Sequence, residues 1–190
     1  MRIIGGRFRG LKLAELGAGD PAAHLRPTPD RVREAVFNLL EHGTAGNPVP
    51  GARVLDLFAG TGAMGCEALS RGAAHVVFVE DGAAGRALIR QNVERLRAQG
   101  VTRIWRRDAT ALGDNRDAPY GLVLMDPPYG QDLGLTALRA ASEGGWLAAG
   151  AVIVWEEDAP QPAPAGFDPI DQRRYGASTI TLLRYDPTGV

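Results

Sequence analysis

Between residues 53 and 157 the chain switches repeatedly between two spacings of apolar residues. Short runs dense in Val, Leu, Ile and Phe alternate with longer stretches in which apolar side chains recur every three or four positions. The runs are RVLDLFA (53–59), HVVFVE (75–80), TRIWRRD (102–108), GLVLMD (121–126) and AVIVWEE (151–157). Each predicts a strand, and four of them are apolar enough to be buried on both faces. The stretches MGCEALSRG (64–72), 82–99 and 131–143 predict helices. Strands separated by helices in this way predict a parallel sheet covered on both sides, an α/β fold. Residues 168–175 and 177–185 predict a terminal hairpin.

The first fifty residues follow a different pattern. MRIIGGRFRGLKL alternates apolar and basic residues around Gly-Gly and predicts a hairpin. Strand alternation would put Arg7 and Arg9 on one face and Phe8 on the other. Residues 14–25 read as a loop rich in Ala and Gly. A helix start follows, with Thr28 as N-cap, Pro29 in the first position and Asp30 in the first turn. Val32, Val36, Phe37, Leu39 and Leu40 then form an apolar stripe that Gly43 ends, and 44–52 is a Gly/Pro linker. The expected division is an N-terminal hairpin-and-helix extension over 1–50 and a second domain over 51–190.

Charge refines this picture locally. The 190 residues carry a net charge of −1, which gives no global sign of a nucleic-acid partner. Residues 1–33 nevertheless hold seven basic side chains (Arg2, Arg7, Arg9, Lys12, Arg26, Arg31, Arg33) against three acidic ones (Glu15, Asp20, Asp30). Lys12 is the one lysine, so nearly all of the positive charge sits on guanidinium forks suited to phosphate. Phosphate contacts position a substrate without reading sequence, and Arg7 and Arg9 are the candidates, with Arg173 and Arg174 the alternative. Cys66, the single cysteine, reads as a small buried hydrophobe. His24, His42 and His75 lack metal-ligand spacing, and no metal is expected. With no signal peptide or apolar run of membrane length, a soluble cytoplasmic protein is expected.

The chemistry-bearing residues cluster at strand ends. Gly60, Gly62 and Gly65 satisfy G-x-G-x-x-G after the first strand, and Glu80 ends the second at the distance of a ribose-binding acid. That pattern fits a dinucleotide. Asp56, just below the glycine turn, argues against one, because a pyrophosphate would meet a like charge in a poorly solvated crevice. S-adenosylmethionine, with its ammonium, sulfonium and ribose diol, gains from both acids. Asp108, after the third strand, falls where the adenine amino group would lie, although a loop-capping role also suits it.

The fourth strand ends in DPPYG (126–130). The prolines cannot extend a sheet ladder, so they hold one acid and one aromatic ring in a stiff loop at the strand's C-terminal end, where ligands bind in open α/β sheets. The Asp126 carboxylate and the Pro127 carbonyl can accept both hydrogens of an exocyclic amine and aim its lone pair at a methyl donor. Tyr129 can stack on the base.

LDLFAGTG, DPPYG and LRPTPDRVREAVFNLL, in this chain, resemble the bacterial RsmD family, the guanine-N2 methyltransferases of small-subunit (16S) ribosomal RNA. The likeness covers almost the whole sequence, including the Gly-Arg-rich start and RRYGAST (173–179). It implies a Rossmann-like, seven-stranded class I methyltransferase sheet, mostly parallel with an antiparallel last strand. It implies a pocket for S-adenosylmethionine lined by Gly60, Thr61, Gly62, Glu80, Asp108 and Asp126 and bordered by Arg26 and Thr28. Asp56, Phe58, Asp81 and Ala109 join that set as neighbours of these residues. It also implies ribosomal RNA as partner, within a small-subunit particle or assembly intermediate. The loop at 14–25 is longer than the family pattern. DPPY alone is shared with DNA adenine and protein-glutamine methyltransferases, and a non-catalytic RNA-binding module is a further alternative. Guanine over adenine rests on the resemblance alone.

Overall fold

The computed structural model describes residues 1–15 and 29–188. Seven strands form one sheet: β1 (Arg53–Leu57), β2 (His75–Val79), β3 (Thr102–Trp105), β4 (Tyr120–Met125), β5 (Leu147–Glu157), β6 (Phe167–Tyr175) and β7 (Ser178–Tyr185). Their order is β3-β2-β1-β4-β5-β7-β6. The first five run parallel, and β7 runs antiparallel to both β5 and β6. Strand order reverses between β1 and β4, so the crevice of a doubly wound sheet opens there, above the carboxyl ends of the strands. The expected mostly parallel, Rossmann-like sheet with an antiparallel last strand is the observed one.

Strand alternation sorts the core into two layers. Val54, Val76, Phe78, Leu122, Leu124, Val152 and Val154 pack on one face with α1 (Asp30–His42), α2 (Ala63–Ser70) and α3 (Ala83–Arg95). Leu55, Leu57, Val77, Val79, Val123, Met125, Ile153 and Trp155 pack on the other with α4 (Leu133–Glu143). Cys66 is fully buried in the first layer, as expected, and burial pushes its thiol pKa up.

Several boundaries differ from the sequence reading. β5 starts at Leu147, before the expected 151, and a register shift between Tyr120 and Leu122 accommodates the extra residues. α3 ends at Arg95 because Arg97 takes a left-handed φ of 51° and a 3₁₀ turn follows at Gln99–Val101. α1 starts at Asp30 with Pro29 in the cap position, and Thr28 lies outside the described residues.

The N-terminal segment turns back on itself antiparallel, as the expected hairpin would, but with little strand: Arg2 bridges Lys12, Ile3 N–H donates to the Leu11 carbonyl at 3.0 Å and Leu13 N–H to the Met1 carbonyl at 3.2 Å, and the tip is a 3₁₀ turn at Gly6–Phe8. Arg7 and Arg9 therefore do not share a strand face. The tip is docked instead: Phe8 N–H donates to Ser70 Oγ at 2.9 Å. Gly6, at φ +72°, lies so close to the Ser70 carbonyl that any Cβ would overlap it. Buried Glu67 of α2 accepts the Ile4 and Gly5 N–H groups at 2.8 Å each and the Arg71 Nε at 2.8 Å. Arg33 of α1 lies against the same carboxylate at 3.5 Å and donates to the Arg2 carbonyl. This buried ionic knot fixes the N-terminus to α1 and α2. Among the described residues no helix is long and apolar enough to cross a membrane.

Candidate active site

The alternation that builds the core also builds the site. Asp56 follows Val54 by two residues, Glu80 follows Phe78, Asp126 follows Leu124, and Glu156 follows Val154. Side chains two apart share a sheet face. Four carboxylates thus continue one face of the sheet at the C-terminal ends of β1, β2, β4 and β5. All four line one cavity of about 960 Å³.

The turn after β1 is strained where it meets this cavity. Phe58 adopts φ +56°, a conformation rare for a bulky side chain, and Gly60 and Gly62 follow at +54° and +74°. Gly60 faces open space: a Cβ there would meet nothing nearer than the Phe58 carbonyl at 3.9 Å. Gly62 does not line the cavity. Its Cβ would meet Ile89 at 3.0 Å and Phe78 at 3.2 Å, so this glycine serves the packing of α2 on β2 and α3, not space for a ligand.

Asp56 is only 3% exposed, and its Oδ2 accepts the Gly65 N–H at 2.9 Å. Burial pushes its pKa well up, and the nearby charges of Asp126 and Glu80 push it further. Glu80 ties that turn to the loop after β2, with Oε2 accepting from Gly60 N–H and Oε1 from Gly82 N–H at 2.7 Å each. Its pKa is also raised, chiefly by burial. Asp81 lines the cavity beside it, and its carbonyl accepts from Arg86.

Asp108 caps the short turn at Ala109–Ala111 through Thr110 N–H at 2.8 Å and Thr110 Oγ1 at 2.6 Å. The capping role is thus real, while Asp108 and Ala109 also line the cavity. Asp126, Pro127, Pro128 and Tyr129 form the opposite wall. Tyr129 is 38% exposed, and its hydroxyl donates to Glu156 Oε1 at 3.1 Å, with Ser178 Oγ at 3.2 Å. Thr61 lines the cavity as well. Arg26 and Thr28 lie outside the described residues.

Six carboxylates among the described residues line the cavity, against one guanidinium, that of Arg107. Such a site repels phosphate and attracts a cation. Glu156, Ser178, Met64 and Arg107 were not expected in its wall. Glu156 was findable, since it follows Val154 by two residues near the end of the fifth strand as Asp126 follows Leu124 at the end of the fourth. Among the described residues no cluster of three or more His, Cys, Asp or Glu could hold a metal.

The basic candidates separate. Arg7 lines a second groove with Ala73, Ala74, Arg95 and Arg97, next to the N-terminal ends of β2 and β3. That is the far edge of the sheet from the acidic cavity. Arg173 and Arg174 are exposed on β6, and the β6–β7 turn carries Ala177 and Ser178 into the cavity wall. Arg173 pairs with Asp171 at 3.1 Å.

A family model described as conserved hypothetical protein 95 matches residues 1–184. The chain is 38% identical over 165 residues to ribosomal RNA small subunit methyltransferase D of Escherichia coli K12, covering 86% of this chain and 78% of that protein. The chain belongs to the RsmD family. A second RsmD relative, ribosomal RNA small subunit methyltransferase D of Haemophilus influenzae, is 33% identical over 97% of this chain and 93% of its own. Among solved structures, the "Putative methyltransferase yhhF" of Escherichia coli superposes with a TM-score of 0.80 at 33% identity, covering 98% of each chain. The Rossmann-like sheet is therefore a methyltransferase fold, in the arrangement the RsmD resemblance implied.

Proposed function

We propose that this chain transfers the methyl group of S-adenosylmethionine to the exocyclic N2 of a guanine in small-subunit (16S) ribosomal RNA. One observation carries the reading: an acid-lined cavity at the sheet's switch point that is closed on one side by Asp126-Pro127-Pro128-Tyr129. Family membership and the relatives' names support ribosomal RNA as the substrate.

The residues fit the cofactor. Asp56 is a buried carboxylate with a raised pKa, the environment that a bound cation relieves. Gly60 leaves the backbone open to close approach. Glu80 remains able to accept ribose hydroxyls, since each carboxylate oxygen has two acceptor sites and one backbone donor. We assign Asp108 and Ala109, in the cavity wall after β3, to the adenine. When bound, S-adenosylmethionine supplies an electrophilic methyl on a sulfonium sulfur.

Asp126 and the Pro127 carbonyl accept the two hydrogens of the guanine amine, which makes its nitrogen more tetrahedral and points the lone pair into the cavity. With the cofactor bound, the amine nitrogen would take the methyl and S-adenosylhomocysteine would leave. The methylated amine is acidic enough to lose its extra proton to water, so Asp126 need only orient it. Tyr129 offers a partly exposed ring for the base to stack on. The N-terminal segment over 1–50 and the β6–β7 hairpin are the surfaces left to hold RNA, through Arg7 and Arg9 or Arg173 and Arg174.

The test is tritium transfer from labelled S-adenosylmethionine to ribosomal RNA, duplex DNA and a peptide release factor in parallel, followed by nucleoside mass spectrometry. Label in ribosomal RNA as N2-methylguanosine is expected. N6-methyladenosine, or label in DNA or protein alone, overturns the proposal.

A further inference from the structure

Glu156 is a carboxylate that neither the cofactor nor the amine-orienting pair uses. It is the penultimate residue of β5 and falls level with Asp126, because the β4–β5 ladder runs to Met125 opposite Trp155. Neighbouring strands lie about 4.8 Å apart, and both side chains continue the same sheet face. Both line the one cavity. Glu156 is 3% exposed. Its Oε1 takes the Tyr129 hydroxyl, whereas its Oε2 is buried with no hydrogen-bond partner among the described residues. Burial raises its pKa, and the neighbouring Ser178 and Tyr129 hydroxyls oppose the rise.

Holding Tyr129 requires one acceptor, which a glutamine carbonyl would supply. The second oxygen adds the desolvation cost of an unsatisfied buried acceptor. A ligand with a matching donor removes that cost. The Watson–Crick edge of guanine presents a row of donors, N1–H beside N2–H₂. Adenine presents an acceptor at N1. Two adjacent carboxylates on one face complement the first and oppose the second.

Resting on the guanine-N2 reading above, we infer that Glu156 reads the base: its Oε2 accepts the N1–H of the target guanine while Asp126 and Pro127 hold the N2 amine. Tyr129, the more exposed partner of Glu156, keeps its hydroxyl on Oε1 and offers its ring to the same base.

2-Aminopurine separates the two interactions, because it keeps the 2-amine but carries a lone pair at N1. The nucleotide methylated by the wild type is mapped first, and ribosomal RNA is then assembled with guanine or 2-aminopurine at that position. Wild-type protein is expected to prefer guanine by roughly 10²-fold in kcat/KM, as expected for a buried acceptor left facing a lone pair. Glu156→Gln can present its amide N–H to the N1 lone pair. It should narrow that preference by roughly 10-fold or more, the scale of one base-edge hydrogen bond, while S-adenosylmethionine affinity measured by calorimetry stays unchanged. Equal wild-type rates on the two RNAs, or an unchanged ratio in Glu156→Gln, overturns the inference. If Glu156→Gln does not fold, the wild-type ratio alone decides. Failure of the function itself is seen separately, as N6-methyladenosine or as no label in guanine-containing RNA.

Discussion

Gly65 donates its backbone N–H to Asp56 Oδ2 at 2.9 Å, joining the first turn of α2 to the strand beneath it. This hydrogen bond lowers the Asp56 pKa, yet burial outweighs it and the charges of Asp126 and Glu80 add to the rise. A carboxyl whose pKa is higher folded than unfolded holds its proton more tightly in the folded chain. Its stabilising contribution is complete below the unfolded value, near 3.8 for Asp56 and 4.5 for Glu80, and is lost as pH rises through the folded value. The ligand-free protein therefore loses stability from these groups as pH climbs through that window. A cation that favours the ionised forms binds more tightly over the same window and releases protons. Calorimetry of S-adenosylmethionine in two buffers of different ionisation enthalpy should show proton release at mildly acidic pH. Proton uptake would contradict the assignment of Asp56 to the cation.

Gly60 and Gly62 should fail in different ways when given a methyl group. Both have left-handed φ, so each Ala variant carries a strain of about 1–2 kcal/mol. Gly62→Ala adds overlap with Ile89 and Phe78 in the core, and overpacking of that kind costs about 1–3 kcal/mol more. Gly60→Ala adds no such overlap but projects its methyl towards the ligand. Thermal unfolding should therefore single out Gly62→Ala, and calorimetry should show the larger loss of S-adenosylmethionine affinity in Gly60→Ala. A reversed order would mean that the two glycines face opposite ways from those described.

Asp126→Ala should lose roughly 10²-fold or more in turnover with the fold intact, by analogy with deleting one placed hydrogen-bonding group from an active site. Tyr129→Ala should weaken RNA capture by about 1–3 kcal/mol, the worth of one base–aromatic stack. Tyr129→Phe keeps the ring and gives up only the hydrogen bonds to Glu156 and Ser178, so it should retain most of that affinity. Single-turnover rates and RNA binding on the three variants check this. Near-normal turnover in Asp126→Ala would remove the amine-orienting role.

Much of the sheet was legible because buried parallel strands leave dense apolar runs. The acids that end them mark the site because nothing apolar is needed beyond the last ladder bond. What escaped depended on long-range partners. Glu67 sits in a helix as though solvated, yet it is buried, because its hydrogen bonds come from Ile4 and Gly5 some sixty residues away. Gly62 matched a ligand-binding pattern, but its neighbours Ile89 and Phe78 are known only once α3 is docked. The N-terminal alternation was genuine and still gave a 3₁₀ turn, because Gly6 fits against Ser70 and the tip is fixed from outside. Glu156 sits beside Glu157 in the predicted strand AVIVWEE, and only the sheet register sets it level with Asp126.

The last expectation concerns where RNA phosphates are held. The local charge surplus favoured Arg7 and Arg9, but Arg7 lines a groove beyond the N-terminal ends of β2 and β3. A base entering the cavity carries its own phosphates past the opposite edge. Arg173 and Arg174 are nearer, because the turn after β6 delivers Ala177 and Ser178 to the cavity wall. Arg173→Ala with Arg174→Ala should therefore raise the RNA dissociation constant more than Arg7→Ala with Arg9→Ala. Both pairs should leave S-adenosylmethionine affinity and the methylated base unchanged, since phosphate contacts position without specifying. Where the bound RNA is single-stranded, each phosphate deprived of its arginine should flatten the log–log salt dependence by about 0.7. Arg173 is already paired with Asp171, so Arg174 should account for most of the change. RNA affinity across a salt series for wild type and both double variants measures this. A larger drop in affinity for the Arg7/Arg9 pair would show that the RNA reaches around the sheet to the second groove.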